Sequence, residues 1–289
     1  MIWKNKAMVL CVCLLSVVSC SDRTMEGSYE SRLQKSDLLL KSLDNLTEII
    51  VHDIFSPPVA SRVYVYPCVA AYEILALNDN ELRPLAGQLN GMDSIPKASE
   101  EVSAALAAVH AFNLVGKALI FSEAKMDEFT EDLSIRLDTF GIPRKIRENS
   151  KNYASEVSQF ILAWADEDNY KESRSMPKHP ISDEAGKWKP TPPAYMEGIE
   201  PHWREIRPMV IESATQFRPE APPSFELSED SDFYKKTMEV YDAVNNANEE
   251  ERLIASFWDC NPYVMNQTGH VMIATKKITP GGHWMGIAS

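Results

Sequence analysis

Asp259, Cys260, His270 and His283 are the side chains whose types could together do chemistry, since carboxylate, thiolate and imidazole are the groups that hold zinc. Their spacing matches no compact ligand motif, so capping, core or interface roles are expected of them and no metal ligand is assigned. A metal hydrolase using the His270 and His283 region is kept only as a third reading. His52, His110, His179 and His202 stand alone in the sequence and read as ordinary helix or loop residues. Trp188, Tyr195 and Trp203 could line a ligand groove, or they could pin an irregular segment onto the body of the protein; the second is expected. No Gly-rich phosphate loop and no Gly-x-Ser-x-Gly elbow is present.

One further cysteine has a modification chemistry of its own. Lys4 and Lys6 precede an apolar stretch from Ala7 to Val18, too short to span a bilayer comfortably, and the stretch ends in Val17-Val18-Ser19-Cys20. That tetrapeptide resembles a bacterial lipobox. Residues 1–19 are therefore expected to be a lipoprotein signal peptide, with Cys20 the lipidated residue and 20–31 a polar tether. Ser21 follows the cysteine and Asp22 comes only after it, which favours transfer to the outer membrane. Cys11 and Cys13 would leave with the signal. Cys68 and Cys260 would then face an oxidising compartment, either paired or, as expected, as two small buried hydrophobes.

The elements that must position these groups read as helix after helix. The 289 residues are 44% apolar and 25% charged, which suits a globular body and excludes disorder, collagen and a multi-span membrane protein. The excess of 42 acidic over 29 basic residues, a net charge of −13, supplies no field to gather phosphate backbones, so no nucleic-acid partner is expected. Leu33, Leu40, Leu43, Leu46, Ile50 and Ile54 recur at helical spacing up to Pro57-Pro58. A second helix is expected from about Val59 to Leu77, kinked or bounded near Pro67. A third opens at Ser99 and runs through an Ala-rich stretch to Leu119, where Ala104, Ala105, Ala107 and Ala108 imply close helix contact. Another ends at Gly141, and Pro143 starts the next, which runs to about Tyr170.

Ten of the 18 prolines fall between Lys171 and Asp230, together with Trp188, Tyr195, Trp203, Phe217 and Phe225. Such a segment is expected to be an extended strap packed over the helices rather than a linker. Helices resume from about Asp232 to Val244 and from about Glu249 to Asp259, the latter with Glu249, Glu250 and Glu251 at its positive end. The fold class expected is all-α: one multi-helix bundle over 32–289, with the strap at about 171–230. The chain stops in Gly286-Ile287-Ala288-Ser289, which reads as the first turn of an apolar helix and leads to the expectation of truncation.

Several stretches then carry a family resemblance. They are Pro57-Pro58-Val59-Ala60-Ser61-Arg62-Val63-Tyr64 with Ala70-Ala71-Tyr72-Glu73, Trp188-Lys189-Pro190-Thr191-Pro192-Pro193-Ala194-Tyr195 with Pro201-His202-Trp203, Phe257-Trp258 to Asn261-Pro262, and Gly269-His270 with Pro280-Gly281-Gly282-His283-Trp284. Together they resemble the N-terminal half of bacterial vanadium-dependent haloperoxidases in the type 2 phosphatidic acid phosphatase superfamily. The resemblance implies an all-helical, two-part architecture with the reaction centre mostly in the second part. It implies bound vanadate for a complete member, and halide oxidation by peroxide or phosphomonoester hydrolysis as the chemistry.

That family holds its oxyanion with KxxxxxxRP, PSGH and SRxxxxxH, because cations must neutralise the anion while histidines attack and move protons. Arg83-Pro84, Arg207-Pro208 and Arg218-Pro219 have Ala76, Glu200 and Ile211 where the lysine should be. Pro280-Gly281-Gly282-His283 has Gly281 in place of the serine, and Ser61-Arg62 has Cys68 in place of the histidine. No catalytic, cofactor-binding or metal residue is assigned, and the chain alone is expected to be inactive. The alternative reading is a helical envelope lipoprotein that binds a ligand or partner through its aromatic strap. Expected partners are the membrane, through the lipid, and a missing C-terminal half or a second copy.

Overall fold

The structure, a computed structural model, describes residues 28–34 and 37–257. Among them are nine α-helices, one short 3-10 turn at Trp203–Glu205 and no strand, so the chain is all-α as its sequence implies. The helices are α1 (Tyr29–Gln34), α2 (Leu38–His52), α3 (Pro57–Ala76), α4 (Ala104–Ala118), α5 (Glu123–Asp138), α6 (Arg144–Asp166), α7 (Tyr170–Ser173), α8 (Asp232–Asn246) and α9 (Glu249–Phe257).

The Ala-rich α4 is the central helix: it packs most extensively on α3 and α6 and also touches α1, α2 and α5. Its alanines explain this, because Ala105, Ala107, Ala108 and Ala111 are fully or almost fully buried and let neighbouring backbones approach closely. Leu106, Val109, Phe112 and Val115 fill the space between, each worth about 1.5–3 kcal/mol on burial. Ser103 starts α4 by accepting the Leu106 N–H at 3.4 Å. The sequence had placed that start at Ser99. Residues 99–103 are irregular instead, and the N–H of Ser103 itself is held by Ser150 Oγ of α6.

Three other boundaries move for identifiable reasons. The tether expected to extend to Ser31 gives way to helix at Tyr29, because Leu33 is fully buried and Arg32 donates to the Phe140 carbonyl beyond the end of α5. Pro57 and Pro58 do not merely end the preceding segment; they occupy the first turn of α3, where a missing N–H costs nothing, and Pro67 lies inside a helix that continues to Ala76. Helix α6 stops at Asp166 rather than Tyr170, since Asn169 takes a left-handed φ of 69° and α7 restarts beyond it.

From Arg174 to Ser231 the chain is irregular apart from the 3-10 turn, as the proline count demands. Its aromatics pack less than expected. Trp203 sits edge-on to Tyr170 at 6.5 Å and belongs to the body, but Trp188, Tyr195, Phe217 and Phe225 are exposed. The segment is instead clasped by polar groups: Asn90 Nδ2 donates to the carbonyls of Pro208 and Ile211, and Asn90 N donates to Met209 O. Two local contacts order its distal end. Phe225 meets Phe233 of α8 at 5.0 Å, and Gly186 (φ 79°) lies so close to Phe225 that an added Cβ would stand 2.9 Å from Phe225 Cβ.

Candidate functional site

The most heavily connected polar centre is built around Asp168, in the break between α6 and α7. Arg62 and Tyr66 are one turn apart on the buried face of α3, so both reach the same point. Arg62 Nε donates to Asp168 Oδ2 at 2.6 Å and Tyr66 Oη donates to the same oxygen at 2.8 Å. The other carboxylate oxygen accepts the Tyr170 N–H at 2.9 Å in an Asx turn, and the Asp168 carbonyl accepts the Arg207 N–H at 2.9 Å. Arg62 and Asp168 are both more than nine-tenths buried.

Two guanidiniums also close the negative end of α6. Arg62 Nη2 donates to Ala165 O at 3.1 Å and Arg207 Nη2 to Trp164 O at 2.7 Å, adding to the single backbone bonds that these carbonyls accept from Asp168 N and Glu167 N. Aromatic faces hold these cations in place: Arg62 lies over Tyr170 at 4.5 Å and Tyr66 at 5.0 Å, and Arg207 over Trp164 at 4.7 Å. Burial, followed by the neighbouring Asp168 charge, pushes the Tyr66 phenol well above its usual range, so it remains a neutral donor.

Beside this centre opens a cleft of about 380 Å³ lined by Arg62, Val65, Asp168, Trp203, Arg204, Arg207 and other residues of α3 and 206–214. A larger cleft of about 530 Å³ lies within the irregular segment around Arg174, His179, Ile199, Glu200 and His202. Its cations are paired, Arg174 with Glu200 and Lys178 with Glu197, and His202 Nε2 faces the Pro177 carbonyl at 2.6 Å.

The Ser-Arg and Arg-Pro pairs of the sequence have structural positions. Ser61-Arg62 and Arg207-Pro208 meet at the Asp168 centre, which no local spacing could reveal. Arg83 offers its carbonyl to Tyr72 Oη at 2.9 Å, and Arg218 is exposed. Cys68 sits in α3, its thiol pushed up to about 11 by burial. His52 ends α2, His110 lies in α4, and His179 is edge-on to Trp188 at 5.7 Å. Cys20, Asp259, Cys260, His270 and His283 lie outside the described residues, as do the expected signal peptide and the chain's last turn. Among the described residues no group of three or more His, Cys, Asp or Glu could hold a metal ion, and no helix is long and apolar enough to cross a membrane.

No family model matches this chain, and no curated protein does. Among solved structures, a bacterial vanadium-dependent iodoperoxidase is similar at 44% identity and a TM-score of 0.79, over 86% of this chain and 63% of that protein. The chain has the haloperoxidase-like all-α fold. The likeness supports the superfamily that the sequence stretches resemble, and the chain spans somewhat under two thirds of that neighbour's length.

The cleft beside Asp168 does not fit vanadate. Arg62 is committed to Asp168 and Ala165, and neither a lysine nor a histidine lines the cleft beside them, so the cationic shell and imidazole that such an oxyanion needs are not assembled there. What the arrangement does is structural: it locks α3, the α6 terminus, α7 and the 203–211 segment to one another.

Proposed function

We propose that this chain is the helical scaffold part of a vanadium-dependent haloperoxidase-like enzyme. The observation that carries the reading is the 44% identity and TM-score of 0.79 to an iodoperoxidase of which the chain spans 63%. The enzyme's own chemistry, halide oxidation by peroxide, would then depend on the three oxyanion motifs that this sequence lacks. The chain alone is inactive on this reading.

Two features agree with a scaffold that works together with further protein mass. Val240, Tyr241 and Val244 of α8 and Leu253 and Ile254 of α9 are all open to solvent, although both helices are amphipathic. The polar design of α9 is complete without them: Asn248 and Glu251 form a reciprocal capping box, with Glu251 N donating to Asn248 Oδ1 at 3.0 Å and Asn248 N to Glu251 Oε2 at 2.8 Å. A C-terminal half or a second copy is the proposed cover. In the cell the scaffold would be held at the envelope, on the outer membrane, by a lipid on Cys20; labelled palmitate entering the wild type but not Cys20→Ala would support this, and equal labelling of both would refute it.

The direct test assays the full chain with vanadate, peroxide and iodide, and separately with p-nitrophenyl phosphate. Neither reaction should exceed its protein-free blank. Turnover that disappears in His283→Ala would overturn the inactive-scaffold reading.

A further inference from the structure

Glu73 is the only acidic residue of α3, and it is 1% exposed. Its Oε1 accepts the Leu85 N–H, while Oε2 is buried with no hydrogen-bond partner and no cation beside it among the described residues. We propose that Glu73 is a proton-operated latch: its acid form keeps the turn at 85–92 closed, and its ionisation frees that turn and, through Asn90, the 208–211 wall of the cleft beside Asp168.

The turn is hung on the residue that Glu73 holds. Leu85 O accepts the N–H groups of Gln88 at 2.8 Å and Leu89 at 3.1 Å, and Gly87 N donates to Met92 O at 3.0 Å, so 85–92 forms one closed unit. Asn90 carries its contact to the cleft. The Asn90 N–H donates to Met209 O at 2.8 Å, its side-chain amide donates to Pro208 O at 3.0 Å and Ile211 O at 2.8 Å, and its carbonyl accepts the Trp164 indole N–H at 3.1 Å. Pro208, Met209 and Ile211 line that cleft, so a displaced turn takes three bonds from its wall.

A neutral carboxyl is tolerated at such a site, whereas a carboxylate with one donor and no cation is strongly disfavoured against its hydrated form. Opening the turn returns Glu73 to water. The closed form therefore binds the proton more tightly, and rising pH favours the open one. Burial, opposed by the Leu85 bond, raises the pKa in the closed form as this requires. Neighbouring groups do not compensate. Tyr153 of α6 faces Glu73, but burial, followed by the charges of Glu156 and Glu73, pushes its phenol up to about 12 and keeps it neutral. In α4, His110 responds to Lys151 and Arg147, and Lys117 is paired with Asp127. Between α3 and α4, Glu81, Arg83, Asp93 and Lys97 are exposed, and the Asp79 carboxylate accepts the Glu81 N–H.

Amide hydrogen exchange of the full chain, corrected for the intrinsic rate at each pH and read beside the carbon-13 titration of the Glu73 carboxyl, tests the latch. The Glu73 midpoint should lie above 4.5. As pH rises through it, the Leu85 and Asn90 amides should lose protection together, by about threefold or more. At every pH both should be less protected than the Phe112 amide of α4, because the opening is local. Glu73→Gln, which keeps the shape and cannot ionise, should abolish the pH dependence, and Glu81→Gln should retain it. An ordinary Glu73 midpoint, protection equal to that of Phe112, a response of Leu85 without Asn90, or the same pH dependence in Glu73→Gln would each overturn the proposal.

Discussion

Arg62 and Asp168 stand 106 residues apart in sequence and 2.6 Å apart in space, and the pair, more than nine-tenths buried, joins α3 to the end of α6. Truncating one member leaves the other as an uncompensated buried charge, which typically costs about 3–5 kcal/mol. Arg62→Ala and Asp168→Ala should each lower the urea midpoint accordingly. The double variant should cost much less than the sum, because neither charge is then stranded. Additive losses would show that the two residues act separately.

Glu73 is a second buried carboxyl of α3, and its character is the opposite. Burial raises its pKa despite one hydrogen bond from Leu85 N, and Oε2 has no partner among the described residues. A carboxyl with a raised folded pKa favours folding while it is protonated and loses that contribution as pH rises and the unfolded chain ionises first. Glu73→Gln should therefore raise the melting temperature at pH 7, with a gain that shrinks toward pH 4. A gain independent of pH, or a loss at pH 7, would contradict this.

His110 carries the corresponding acid sensitivity. Burial, followed by the charges of Lys151 and Arg147, lowers its pKa from 6.5 to about 4, and its buried Nε2 has no partner among the described residues. Above pH 6.5 the ring is neutral in both states and contributes no pH dependence. Between 6.5 and 4 the unfolded chain takes up the proton first, so stability falls with acidification by at most about 3 kcal/mol. Proton NMR should place the His110 midpoint near 4. A midpoint near 6.5 would contradict the burial.

Ser103 offers a local test of where α4 begins. Ser103→Ala should cost about 1 kcal/mol through the lost cap, whereas Ser99→Ala should be nearly silent. The reverse order would restore the boundary read from the sequence.

How much was legible follows from the range of each interaction. The Ala run of α4, the helix-starting proline at 143, and the irregularity of 174–231 are local chemistry, and each appears where its residues dictate. The choice between Ser99 and Ser103 was not local, because Ser150 of α6 fixes the backbone just before α4. The exposed Trp188, Tyr195 and Phe217 were misread because aromatic content implies burial only when a complementary surface is present. The Asp168 centre was invisible as a centre, since Arg62, Tyr66, Asp168 and Arg207 converge only through the tertiary fold. One signal was available: an arginine within Val59-Ala60-Ser61-Arg62-Val63, on a face otherwise apolar, demands a buried partner.

The central claim, that this chain is a haloperoxidase-like scaffold awaiting its oxyanion-binding part, is tested most directly by fusion. The chain would be joined to the portion of the bacterial iodoperoxidase that it does not span, and iodide oxidation followed with vanadate and peroxide. The account predicts vanadate-dependent turnover from the fusion and none from the chain alone. A fusion that is folded, helical and monomeric yet inactive, or a chain that turns over iodide by itself, would contradict it.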